Sequence, residues 1–237
     1  MKKLLVAAFI LSLASCDESG LPALTENEVI DGLKEALITG ATNSSAILSA
    51  ENGYFADAAV KILLPEEAGV IIDNISMIPG IDKLVDDVIL SINRAAEDAA
   101  REIVPVFAGS IKQMTVTDGF NILNGADNAA TSYLKNTTYN ELYSLYKPKI
   151  EASTQKAIIG NVSAADSWDT MVGKWNILAK LANLKPVNTD LNDYLTTKAL
   201  DGVFIKVESE EFKIRKDAKA RVTPLLQRVF GSIERPE

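Results

Sequence analysis

The chain has 237 residues, 24 basic and 32 acidic side chains, a formal net charge of −8, no histidine and one cysteine. That balance opposes nucleic-acid binding, which needs a concentrated basic surface for its phosphate contacts. Without histidine, the usual general base and the commonest metal ligand are missing; Ser-His-Asp, Cys-His and zinc-type sites are excluded, and no metal or cofactor is expected.

Lys2 and Lys3 precede an apolar run from Leu4 to Leu13, broken by Ser12, and then the small residues Ala14 and Ser15 lead to Cys16. A positive start, a short apolar stretch and small residues at the cut describe a secretory signal peptide over residues 1–15. The run is about half of the roughly 20 residues that a membrane-spanning helix needs. Leu13-Ala14-Ser15-Cys16 resembles the lipobox of bacterial lipoproteins, in which the cysteine thiol is diacylated with palmitate-type chains and the peptide is cleaved before it. An ordinary secreted protein with one free thiol is the plainer alternative. The lipobox reading places the protein in a bacterial cell envelope, lipid-anchored to a membrane, with its domain outside the cytoplasm. Several acyl chains, at roughly 0.8 kcal/mol per buried CH₂, make such an anchor stable. Asp17 resembles an inner-membrane retention signal in some bacteria and part of a surface-export signal in others, and both stay open. Removing Lys2 and Lys3 leaves 22 basic against 32 acidic side chains, a net of −10.

Residues 16–24 read as the acylated cysteine and a tether, and residues 25–237 as an all-α, multi-helix, bundle-like globular domain. Thr25 and Glu28 form a capping box for a helix burying Val29, Leu33, Ala36 and Leu37, with Gly40 as its expected stop. Asn52-Gly53 marks a turn, and residues 60–64 read either as an extended piece or as a buried helical turn. Pro65-Glu66-Glu67 suits a first helical turn, with the helix ending near Met77. Ile81, Leu84, Val85, Val88, Ile92, Ala95, Ala96, Ala99 and Ile103 recur at spacings of three and four, and Pro105 kinks or divides that helix.

Thr115 with Asp118 starts another helix, and Asn124-Gly125 closes it through an expected left-handed residue. Asp127 is the expected cap of the next, running through Ala129 to Leu134. Thr138 with Glu141 suggests a further start, stopped or kinked at Pro148. Ser163 with Asp166 opens a helix burying Trp168, Met171, Val172, Trp175 and Leu178. Asp190 with Asp193 opens the last long one, with Leu191, Leu195, Ala199, Val203 and Val207 on one stripe, and Pro224 to Phe230 is a final short helix. The caps, the scarcity of alternating β-branched runs and the lack of a repeat all point to all-α.

Ser91-Ile92-Asn93-Arg94-Ala95-Ala96-Glu97, Ile111-Lys112-Gln113-Met114-Thr115, Ile122-Leu123-Asn124-Gly125, Ala129-Ala130-Thr131, Asp190 to Thr196, Ala199 to Phe204 and Val229-Phe230-Gly231 together resemble the domain-of-unknown-function 4197 family of bacterial envelope proteins. The resemblance runs from about Thr25 to Gly231, weakest between Gly160 and Lys185. It implies the fold and the location and carries no activity.

The candidate ligand-binding residues are Asn93, Arg94, Glu97, Asp201 and Arg215. Arg94 and Glu97 share a helix face and suit either a clamp for a carboxylate or phosphate or an ion pair that fixes packing. Asp201 precedes Gly202 inside a helix, where glycine costs about 1 kcal/mol relative to alanine. A close helix crossing that brings Asp201 to Arg94 or Arg215 would offset this cost; an approaching ligand is the alternative. Tyr139, Tyr143 and Tyr146 read as a stacking platform or as the edge of a core, and Trp168 and Trp175 as core. Lys213, Arg215, Lys216, Lys219 and Arg221 read as a patch for anionic headgroups or as a solvated helix end. Asp82, Asp86 and Asp87, or Glu97 with Asp201, are the remaining acid/base pairs, and Asp82 to Asp87 lacks the spacing of a calcium loop. No catalytic residue is assigned. The expected role is a noncatalytic module for an envelope partner or small ligand, with a carboxylate-based hydrolase of cell-wall or surface glycans as the alternative.

Overall fold

Three helices begin where a hydroxyl residue and the acid three positions on satisfy each other's backbone. The computed structural model describes residues 23–77, 80–157 and 161–234; the signal peptide over 1–15, Cys16 and the tether up to residue 22 lie outside them. Thr25 Oγ accepts from the Glu28 amide at 3.2 Å, and the Glu28 carboxylate accepts from the Thr25 amide at 2.9 Å. The same box starts at Thr115–Asp118 and Ser163–Asp166, and the Asp190 carboxylate accepts from the Asp193 amide.

In chain order the helices are α1 (Glu26–Leu48), α2 (Gly69–Asp73), α3 (Ile81–Ala99), α4 (Ile103–Lys112), α5 (Val116–Leu123), α6 (Ala129–Thr154), α7 (Ala164–Ala182), α8 (Leu191–Lys216) and α9 (Pro224–Gly231), with single 3₁₀ turns between several of them. No β-strand occurs among the described residues. α8 packs on both α1 and α6, α1 also meets α4, α5 and α9, and α3 lies between α6 and α7. The expected stripes are the core: Val29, Leu33 and Leu37 on α1, Val88, Ile92 and Ala95 on α3, and Leu195, Ala199, Val203 and Val207 on α8 are all buried. Trp168, Met171 and Trp175 seat α7, while Val172 and Leu178 are only half buried.

α6 and α8 run antiparallel along a polar seam. Lys147 pairs with Asp193 at 3.1 Å, Lys135 with Asp201 at 3.3 Å, and Asn128 with Glu208 at 3.2 Å, while the Tyr143 hydroxyl donates to Asp193.

Five expectations give way to tertiary contacts. Gly40 does not stop α1, because it is buried against Glu210 and Val207 of α8 and the apolar face continues through Ala41 to Leu48. Pro65 to Met77 forms two 3₁₀ turns around the five-residue α2, not one helix. Asn124 closes α5 at φ −89°, not in the left-handed region. Gly125 there provides room instead, since a Cβ would lie 2.8 Å from that of Ala129 and 2.9 Å from the Asn121 carbonyl. Asp127 pairs with Lys216 at 2.8 Å, and a carboxylate from α8 caps α6 in its place. Thr138 starts nothing: its hydroxyl donates to the Leu134 carbonyl, and α6 continues through Pro148, flanked by buried Tyr146 and Ile150. An interior proline costs a helix about 3 kcal/mol, which packing on α3, α4 and α8 offsets.

Candidate binding cleft

The polar residues beside the α3 stripe hold the segment that connects α1 to α2. Asn93 Oδ1 accepts from the Ile62 amide at 2.9 Å, and its Nδ2 donates to the Ile62 carbonyl at 2.7 Å, so one side chain pairs with both backbone groups of one residue. Glu97 Oε1 accepts from the Tyr54 and Phe55 amides at 3.1 and 3.2 Å, and Oε2 accepts from Arg94 Nη1 at 2.5 Å. The second Arg94 nitrogen donates to Asn52 Oδ1 at 2.9 Å. Asn52 is left-handed, with φ 70°, which fits the expected turn. Residues 60–64 form no helix: Val60 ends a turn and 61–64 carry no regular structure. Asn93 and Glu97 are buried and their polar groups are taken up by the protein. The Arg94–Glu97 pair is present, and it fixes a loop to a helix.

The loop then anchors on α8. The Tyr54 side chain is buried, its hydroxyl donates to the Ala199 carbonyl at 2.8 Å, and its ring lies where a Cβ on Gly202 would come within 2.7 Å of Cε1. The close approach at Gly202 is therefore to an aromatic ring, not to a second helix. Asp201 pairs with Lys135, not with Arg94 or Arg215.

Between this loop and α8 lies a cleft of about 620 Å³. Residues 59–64 with Glu66 and Glu67 form one wall; Tyr194, Lys198, Asp201, Gly202 and Ile205 form the other. The Tyr194 hydroxyl donates to the Leu63 carbonyl at 2.8 Å, joining the walls. Its partial burial, together with the charges of Glu66 and Glu67, raises the Tyr194 pKa. Lys61 lies over the Phe55 ring at 4.3 Å and Lys198 over the Tyr194 ring at 5.9 Å; neither has a carboxylate partner within salt-bridge distance among the described residues. Leu63 and Ile205 add exposed apolar surface. Of the five candidate residues only Asp201 lines this cleft. Asn93 supports its wall from behind through Ile62, and Glu97 does so through Tyr54. Lys61 and Lys198 carried no local signal, whereas Tyr194 falls within a stretch that the family resemblance singles out.

Arg215 serves elsewhere. Its Nε donates to Glu211 Oε1 at 2.9 Å, and its terminal nitrogens donate to the Leu123 and Ile122 carbonyls at 3.1 and 2.9 Å. Glu211 in turn accepts from the Ala130 and Thr131 amides at 2.9 and 2.8 Å and from the Thr131 hydroxyl at 2.6 Å. One buried i,i+4 pair on α8 thus satisfies carbonyls at the C-terminus of α5 and amides at the N-terminus of α6, groups that helix ends leave without partners. The surrounding basic patch is largely engaged. Arg221 is buried against the Ile214 and Arg215 carbonyls, Lys213 pairs with Glu210, and Lys216 pairs with Asp127.

Tyr146 is core, and Tyr139 and Tyr143 lie half-buried along the α6–α8 seam. Asp82, Asp86 and Asp87 are exposed on α3, and no group of three metal-ligating side chains converges among the described residues. The carboxyls whose pKa values are displaced, Glu28, Asp57, Asp98, Asp118 and Asp193, are all lowered.

The family model described as "Protein of unknown function (DUF4197)" matches residues 23–231, and the chain belongs to that family. No curated protein and no solved structure matches it.

Proposed function

We propose that this member of the family is an envelope lipoprotein, acylated at Cys16 and exposed outside the cytoplasm, whose domain binds a small ligand or peptide without catalysis. Support for the address comes from Lys2 and Lys3, the apolar run and Leu13-Ala14-Ser15-Cys16. Among the described residues no helix is long and apolar enough to cross a membrane. The observation that carries the binding role is the cleft between residues 59–67 and α8. Its volume lies within the 300–1,000 Å³ typical of ligand sites. Two lysines without carboxylate partners face it from opposite walls, and Glu66 and Glu67 lie at its edge. Such a lining suits a molecule bearing both signs of charge, such as a short peptide with free termini.

The test is thermal unfolding with a panel of zwitterionic di- and tripeptides. A ligand at 100 times its Kd stabilises by about 2.7 kcal/mol, which is about 5–11 °C for a domain of this size. A rise with wild type that Lys198→Glu abolishes supports the reading; no rise, or a rise that survives Lys198→Glu, refutes it. The anchor is tested separately: Cys16→Ser protein loses the membrane fraction and remains unprocessed, and normal processing with membrane retention contradicts acylation.

A further inference from the structure

The C-terminal half of α7 carries the most exposed large apolar side chains among the described residues besides Val222: Leu181 is 82% exposed and Ile177 68%. They lie one helical turn apart. Leu184 joins them because Asn183 is left-handed (φ 55°) and turns the chain back, the Leu184 amide donating to the Ala179 carbonyl at 2.8 Å, as in helix ends closed by a left-handed residue. The ridge is rigid. Asn176 exchanges two hydrogen bonds of 2.9 Å with the Val187 backbone, and Trp175 Nε1 donates to the Lys185 carbonyl at 3.1 Å. The opposite face of α7, with Trp168, Met171 and Trp175, is buried toward α3.

Charge distinguishes this ridge from the rest of the molecule. Residues 170–189 contain Lys174, Lys180 and Lys185 and no acidic side chain, in a chain of net charge −8. All three lysines are exposed, with no carboxylate partner among the described residues. Lysine stems can lie along apolar surface while the ammonium groups reach outward. An apolar ridge edged by such lysines matches helices that lie in the headgroup region of anionic bilayers. A predominantly acidic domain is repelled by such a surface on its other faces, so binding through α7 also fixes its orientation.

We infer that the α7 ridge, Ile177, Leu181 and Leu184 with Lys174, Lys180 and Lys185, docks on an anionic lipid surface. The contact is independent of acylation at Cys16. Residues 23–234 share one hydrophobic core, so the chain from Asp17 to Glu237 tests the ridge alone, and a failure of the Cys16 reading leaves this test intact.

The measurement is co-sedimentation with vesicles of phosphatidylglycerol and phosphatidylcholine (1:1). The chain should pellet with the anionic vesicles at low salt and stay in the supernatant with pure phosphatidylcholine. Leu181→Glu should weaken partitioning at least about tenfold, the scale of burying one leucine, and each Lys→Gln change about fivefold. An unchanged circular dichroism melt excludes misfolding of these surface variants. Wild type that fails to bind anionic vesicles, or Leu181→Glu that binds as well as wild type, overturns the inference. So does a photo-cross-linker at position 181 that labels an acidic protein in the host instead of lipid.

Discussion

Replacing Glu211 by alanine removes one carboxylate and leaves four groups without it: the Ala130 and Thr131 amides, the Thr131 hydroxyl and the Arg215 guanidinium. Both members of the pair are buried. Breaking a buried ion pair on one side costs about 3–5 kcal/mol, which for a domain of about 200 residues is about 6–20 °C in Tm. Glu211→Ala and Arg215→Ala should both fall in this range by calorimetry. The sharper test is the double variant Glu211→Leu/Arg215→Leu. Were the two side chains serving only each other, an apolar pair would be close to neutral. Here four backbone groups, the Ala130 and Thr131 amides and the Ile122 and Leu123 carbonyls, would remain without partners. At about 1 kcal/mol or more each, the double variant should lose at least about 4 kcal/mol. Near-wild-type stability of that variant would refute the view that the pair joins two helix ends.

Glu97→Gln should cost about 3 kcal/mol and speed hydrogen exchange at the Tyr54 and Phe55 amides by at least about tenfold; unchanged protection there would separate the loop from α3. Gly202→Ala places a Cβ 2.7 Å from the Tyr54 ring and should cost about 1–3 kcal/mol by overpacking, much of it recovered with Tyr54→Leu; a neutral single variant would contradict the close approach. Tyr146→Phe removes a buried hydroxyl that has no hydrogen-bond partner and should be neutral or stabilising by about 1 kcal/mol, and a clear loss in chemical denaturation would show the hydroxyl to be satisfied. Asp57 is lowered by its hydrogen bond from Lys206 and by the Ala59 amide; for Asp98 burial acts upward, and hydrogen bonds from Lys156 and Ser153 outweigh it. A depressed folded pKa gives stability that is complete above the unfolded value near 4 and is lost as pH falls through the folded value. Asp57→Asn and Asp98→Asn should each flatten the decline of Tm below about pH 4, and curves parallel to wild type would refute the assignment.

What the sequence revealed depended on the range of the interaction. Thr25 with Glu28, Thr115 with Asp118 and Ser163 with Asp166 are caps closed within four residues, and all are present. The long apolar stripes of α3 and α8 were equally legible, because burial of one face follows from periodicity. Gly40 and Asp127 misled because their fates are set by α8, far along the chain, and Thr138 because its buried hydroxyl bonds back to the Leu134 carbonyl inside a continuing helix. The cleft divides in the same way. Arg94 and Glu97 are neighbours on one turn, so their pairing was readable. Their loop partners Asn52, Tyr54 and Phe55 lie about 40 residues away and left no pattern. Arg215 looked like an available cation because nothing local announces the carbonyls of Ile122 and Leu123 that it reaches.

The proposed address and anchor are tested most directly by mass spectrometry of the protein purified from its native membrane and cleaved with trypsin. The account predicts an N-terminal peptide spanning residues 16–34 that carries a diacylglyceryl group on Cys16. A peptide that begins elsewhere, or an unmodified Cys16 thiol, would contradict it.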